Sequence, residues 1–299
     1  MTKIFNLEKM DEDNRSGFLN LLKKHSFVEH KILSKSLCGR SIDCVKIGKG
    51  LNNCVLFVGA THGMEWITSS LLFHFLEDIC RIIEDKERIM GVTLNSFFTK
   101  NCIYVIPCLN PDGVEIQING FESAGKYSSL ISSLVENTNI WQSNARGVDI
   151  NHNFDVNWKN LHKLEQQEKI TGPSSTRYGG EFPFSEPESK VIKNICLNTN
   201  FRHVVSFHSQ GEEIFWDYGE NTPKRSKYMA NMFHLYSGYQ ISKPEGLAVG
   251  GGLKDWFIDK FKKPGFTIEI GWGKNPLPIF DLPKIYKDLF KSMVLFTIL

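Results

Sequence analysis

The feature that most narrows the fold is a short apolar strand that runs through a polar turn into a helix. Cys54-Val55-Leu56-Phe57-Val58 is β-branched and apolar enough for a buried strand, and a helix-period pattern follows through Ile67, Leu71, Leu72, Phe75, Leu76 and Ile79. His62 and Glu65 lie in the turn between them. In open α/β sheets, ligands bind in the crevice beyond the carboxyl ends of the strands, so a His and a Glu three apart there can converge on one metal ion. A third ligand is supplied by Val204-Val205-Ser206-Phe207-His208, a second apolar strand that ends in a histidine. A His, Glu, His set leaves one coordination position for water.

Strands alternate with helices along the whole chain, which points to a single α/β sandwich. Residues 1–30 read as a helical lead-in with an apolar patch at Phe18, Leu19, Leu21 and Leu22, and residues 31–299 as the catalytic domain. Lys31–Leu33 and Ile42–Ile47 are expected as strands joined through a turn at Cys38-Gly39-Arg40. A further strand is expected over Asn101–Pro107, with a turn at Asn110-Pro111-Asp112-Gly113. From Gly120 to about Pro183 the chain is polar with little periodicity, the mark of a functional surface more than of a linker. Helices are expected over Glu186–Cys196, Lys224–Tyr236 and Pro283–Leu299, and a core strand over Gly265–Gly271.

With 299 residues the chain can bury a large core, and a net charge of +2 gives no footing for a nucleic-acid or membrane partner. No obligatory protein partner is expected. No secretory leader stands at Met1–Glu8 and no stretch approaches the ~18 apolar residues of a membrane span, so a cytoplasmic location is expected. The seven cysteines are scattered, several of them in apolar runs, and read as reduced buried thiols.

On the last strand Thr267 and Glu269 share one face, and Phe266, Ile268 and Ile270 the other. Burying a carboxylate unpaired costs several kcal/mol by order of magnitude, so Glu269 needs a reason to be there. A salt bridge is one reading. The other is a general base beside water activated by the metal. Attack on an amide carbon also generates an oxyanion, for which Arg146 is the best candidate donor.

Taken in order, His62-x-x-Glu65, Asn144-x-Arg146-Gly147-Val148-Asp149-x-Asn151, His208, Gly251-Gly252-x-x-Asp255-Trp256 and Phe266-Thr267-Ile268-Glu269 resemble the zinc metallocarboxypeptidases over about Lys31–Leu299. The resemblance implies an α/β/α sandwich with a mixed, mostly parallel twisted sheet of about eight strands. It also implies one zinc ion held by His62, Glu65 and His208, with Glu269 as base and then proton donor and Arg146 polarising the scissile carbonyl. Two positions depart from that pattern. His152 follows Asn151 where the exopeptidases carry a carboxylate-gripping Arg, and Leu247 stands where a Tyr is expected.

His208–Trp216, Lys254–Phe257 and Gly271–Pro278 resemble a narrower branch, the γ-D-glutamyl-L-diamino acid peptidases, which cut peptidoglycan stem peptides between D-Glu and meso-diaminopimelate. On that resemblance Asn151 and His152 bind substrate. Lys254 floors the pocket for the residue beyond the cut, and Gln210 and Glu212 meet its amine. The expected substrate is a small muropeptide stem. A carboxypeptidase or amidohydrolase on another acylated amino acid is the rival within the same chemistry, and a peptide-binding relic without turnover is the rival outside it.

Overall fold

The structure, a computed structural model, describes residues 7–51 and 53–299. The first six residues of the expected lead-in lie outside the described residues. An eight-stranded sheet is built from β1 (Val28–Lys35), β2 (Ser41–Ile47), β3 (Cys54–Val58), β4 (Cys102–Ile106), β5 (Phe201–His208), β6 (Glu213–Phe215), β7 (Gln240–Ile241) and β8 (Gly265–Glu269). Its spatial order is β1-β2-β4-β3-β5-β8-β6-β7. The four central strands β4, β3, β5 and β8 run parallel, and the antiparallel pairings lie to either side of them. The sheet is thus mixed and mostly parallel, as expected.

All five residues of β3 are buried, because helices cover both faces of the sheet. Val55 and Phe57 point into one core with α2 (Ile67–Glu84) and the C-terminal helix α8 (Leu282–Ile298). Cys54, Leu56 and Val58 point into another with α5 (Pro187–Asn198) and α7 (Leu253–Phe261). Each such side chain contributes about 1.5–3 kcal/mol on burial, so the central strands are the most strongly fixed part of the molecule. Helix α1 (Glu12–Leu22) joins the first core through Leu19 and Leu22. A buried Arg15–Glu115 ion pair at 3.0 Å ties it to α3 (Pro111–Asn119).

Three expectations change. Asn110-Pro111-Asp112-Gly113 is the start of α3 and not a free turn. The Asn110 side chain accepts from the Gly113 N–H, and Pro111 occupies the first helical turn, where its missing N–H costs nothing. Within the polar 120–183 section lie helices over Ser128–Leu134 and over α4 (Trp158–Gln167). In α4 only Leu161 and Glu165 are buried, and Trp158, Leu161 and Leu164 at helical spacing are its short apolar signal within an otherwise polar section. The third change concerns the thiols. Register pairing of β3 with β4 sets Cys54 opposite Cys102 with Cα atoms 4.5 Å apart, and the two form a disulfide, while the other five cysteines are free. Among the described residues no helix is long and apolar enough to cross a membrane.

Candidate metal centre and active site

The site stands where the central parallel strands end. His62 lies four residues beyond β3, His208 is the last residue of β5, and Glu269 is the last of β8. Parallel pairing makes Glu269 the register partner of His208, so hydrogen bonding of the sheet itself brings the acid to the histidine. Between His62 and Glu65 the chain makes a single 3₁₀ turn, Gly63–Glu65. Gly63 is required there by close approach, since a Cβ would collide with the Gly113 carbonyl.

His62 Nδ1 lies 2.8 Å from Glu65 Oε1, and His208 Nδ1 lies 3.1 Å from Glu65 Oε2 and 3.3 Å from His62 Nδ1. The three side chains are buried, and one ligand atom from each lies within 4.8 Å of the others. Ligands about 2.0–2.1 Å from one tetrahedral zinc ion stand roughly 3.3 Å apart, so this donor set fits zinc. The outward nitrogens are held as well. His62 Nε2 lies 3.2 Å from Asp149 Oδ1 and His208 Nε2 lies 3.0 Å from Ser206 Oγ. Such outer contacts fix which nitrogen faces the ion.

Burial acts to raise Glu65, but the facing His62 charge and the bond to His208 outweigh it and hold the carboxyl at about 2. Asp149 is likewise far below the ordinary carboxylate range, with the His62 charge outweighing burial. Glu269 goes the other way. Burial first, then the Glu65 charge, push it well above the ordinary range, which suits a group that must take up a proton near neutral pH.

A cavity of about 700 Å³ opens over these groups. Its walls include Asn151, His152, Gln210, Leu247 and Lys254 of the expected set, together with Thr267 and Glu269. His152 is held at Nδ1 by the fully buried Glu165 at 2.9 Å, a carboxylate that also binds His162 Nδ1. Asn151 Oδ1 accepts from the Leu253 N–H, and Gln210 Oε1 from the Gly273 N–H. Lys254 is buried, with its ammonium on Asp255 Oδ1 and on the Asp217 carbonyl at 2.7 Å.

Two expected residues stand elsewhere. Arg146 is not on the cavity wall. Its guanidinium binds Glu186 Oε1 at 2.7 Å, because that carboxylate is only 1% exposed and needs a counter-charge. Glu212, with φ +53° just before β6, faces Lys284 of α8 at 3.5 Å, and the first residue of that strand, Glu213, lines the cavity in its stead. The cavity also holds Gln142, Asp149, Thr176 and Arg177, none of which the sequence reading assigned a role. Only Asp149 had a signal, as a carboxylate inside the Asn144–Asn151 motif able to orient a ligand histidine.

A model of the zinc carboxypeptidase family matches residues 18–292. The chain belongs to the zinc carboxypeptidase family. Among curated relatives, this zinc carboxypeptidase-family chain is 31% identical to γ-D-glutamyl-L-diamino acid endopeptidase 1 of Lysinibacillus sphaericus over 284 residues, covering 91% of this chain and 69% of that protein. It is also 31% identical over 264 residues to the uncharacterized protein YqgT of Bacillus subtilis, covering 87% and 69%. Its fold matches bovine thrombin-activatable fibrinolysis inhibitor, solved with tick carboxypeptidase inhibitor, with a TM-score of 0.77 at 18% identity over 99% of this chain and 98% of that one. The murein-tripeptide amidase MpaA from Escherichia coli O157 matches with a TM-score of 0.55 at 18% identity over 90% and 92%. Membership makes the chain a zinc metallopeptidase, a hydrolase of peptide bonds.

Proposed function

We propose that this metallopeptidase hydrolyses the amide between γ-D-glutamate and meso-diaminopimelate in peptidoglycan stem peptides, in muropeptide turnover or recycling. The observation that carries the reading is the buried ammonium of Lys254 on the wall of the metal cavity. An ammonium has three donors, and Asp255 and the Asp217 carbonyl take two. The third is left for an acidic group on the residue beyond the cut, and diaminopimelate carries such a group on its side chain. Glu213 and Gln210, on the same cavity wall, are placed to receive its amine. The likeness to a γ-D-glutamyl-L-diamino acid endopeptidase supports the same substrate class.

His62, Glu65 and His208 would hold a single zinc ion, which when bound lowers the pKa of water and polarises the scissile carbonyl. Glu269 takes the proton from the attacking water and returns it to the amine that leaves. Asp149 and Ser206 keep the two rings in the orientation that ligation requires. His152, braced by Glu165, offers its other ring nitrogen to a substrate carboxylate.

The test is a substrate panel of L-Ala-γ-D-Glu-meso-diaminopimelate, the same tripeptide ending in L-Lys, and ordinary peptides ending in L-residues. The expected order puts the diaminopimelate peptide first, with the Lys peptide down by about 10- to 100-fold in kcat/KM, the range for one charge-assisted hydrogen bond. Cleavage of the ordinary peptides alone would leave a carboxypeptidase and remove this reading.

A further inference from the structure

Arg177 stands on the cavity wall beside His62, Asp149 and Gln142, and its side chain is exposed there. Among the described residues its guanidinium makes no hydrogen bond or ion pair, whereas Lys254 is bonded to Asp255 and Asp217 and Arg146 to Glu186. Its backbone, by contrast, is tightly held. The Arg177 N–H donates to Asp149 Oδ2 at 2.8 Å, and the Asp149 N–H donates to the next carbonyl, that of Tyr178, also at 2.8 Å. Since Asp149 Oδ1 binds His62, a single carboxylate fixes both the metal ligand and the place from which this arginine projects. Arg177 also has φ +66°, a conformation costing a residue with a side chain on the order of 1 kcal/mol. With its backbone held and its guanidinium without a polar partner among the described residues, Arg177 has all its donors left for a ligand in the cavity.

The two cations line the cavity over the metal centre from different supports. Lys254 is on α7, which packs against β8, and its ammonium meets the chain just beyond β6. Arg177 hangs from Asp149 on the His62 side, beyond β3. With the residue beyond the cut directed to Lys254, the acyl half of the substrate extends toward Arg177. A γ-linked glutamyl residue differs from an α-linked one in the group it carries on that half, namely a free α-carboxylate. A guanidinium presents its donors in a planar fork that matches a carboxylate.

We infer that Arg177 is the specificity-determining residue that binds the free α-carboxylate of the γ-glutamyl residue on the acyl side of the scissile bond. The inference rests on the γ-D-glutamyl reading above. The experiment compares two substrates that differ in one group, γ-D-Glu-meso-diaminopimelate peptides with the glutamyl α-carboxyl either free or converted to the carboxamide. The wild-type enzyme is expected to prefer the carboxylate by about 10- to 100-fold in kcat/KM, the value of a charge-assisted bond. In Arg177→Ala that ratio falls to near one, and in Arg177→Lys, which keeps the charge without the fork, it lies between. Thermal melting of each variant reports its folding, and Arg177→Gln takes the place of the alanine variant if that one does not fold. A wild-type ratio near one, or a ratio unchanged in the variants, overturns the inference alone. A wild-type enzyme that cuts neither substrate overturns the γ-D-glutamyl reading and this inference with it.

Discussion

Glu269 shows how much one side chain's position depends on backbone pairing. As register partner of His208 it has no freedom to leave the metal centre, and burial with the nearby Glu65 charge keeps its proton affinity high. Glu269→Gln is therefore expected to retain zinc, because His62, Glu65 and His208 are untouched, while turnover falls by about 10²–10⁴-fold, the usual worth of a positioned base. Metal content and kcat on the same preparation check this, and near-normal turnover with zinc bound would take Glu269 out of the reaction. His62, Glu65, His208 and Glu269 were legible in the sequence because each closes an apolar strand or the turn after it, where strand periodicity fixes direction. Arg146 and Glu212 were not. Which carboxylate or cation a loop arginine or glutamate meets depends on partners far along the chain, Glu186 and Lys284 here, and no local spacing records them.

At the scale of elements, the turn from β3 into α2 carries two of the three metal ligands and has almost no room to move. Gly63 packs on Gly113 at the start of α3 and on the Trp141 carbonyl, and its N–H donates to the Gln142 carbonyl at 2.9 Å. Gly63→Ala is expected to push the His62–Glu65 turn off α3, so that zinc affinity and activity are lost together while the sheet, held by its two cores, stays folded. Zinc titration alongside far-ultraviolet circular dichroism separates the two effects, and an alanine variant that binds zinc normally would show that the turn has slack. The same contact explains why Asn110-Pro111-Asp112-Gly113 misleads. Asn and Gly favour a turn in isolation, yet Asn110 caps α3 because its amide group also reaches the Thr61 carbonyl beside the metal turn. Helix α4 had only a short apolar signal, Trp158, Leu161 and Leu164, and its firmest anchor is a buried carboxylate, Glu165 on His152 and His162, which no local spacing records.

For the whole molecule, the alternation of strands and helices made the sandwich legible, but two buried titratable groups away from the metal centre add to how its stability varies with pH, and only tertiary packing reveals them. Glu188, at the start of α5, is fully buried with Oε1 unpartnered, and burial, then the Asp112 charge, push its carboxyl up to about 8. Because the folded value lies above the unfolded one, this contribution is complete below about pH 4.5 and is lost as pH rises toward 8, at about 1.4 kcal/mol per pH unit. His203, buried in β5 with Nε2 on the Phe296 carbonyl, is depressed to about 3 by burial and then by Arg202. Its contribution is complete above about pH 6.5 and is lost as pH falls toward 3. The two slopes oppose each other between about 4.5 and 6.5, so these groups together give a plateau there and a decline on each side. Glu188→Gln removes the Glu188 share of the alkaline decline and leaves the His203 share of the acid one, because a neutral amide has no proton to lose. Urea unfolding at pH 5.5 and pH 8.0 is expected to show that the variant loses about 2–3 kcal/mol less than the wild type between the two conditions. Equal losses in both proteins would mean that Glu188 is already ionised in the fold at pH 5.5, its charge met by water or by a rearranged Asn144.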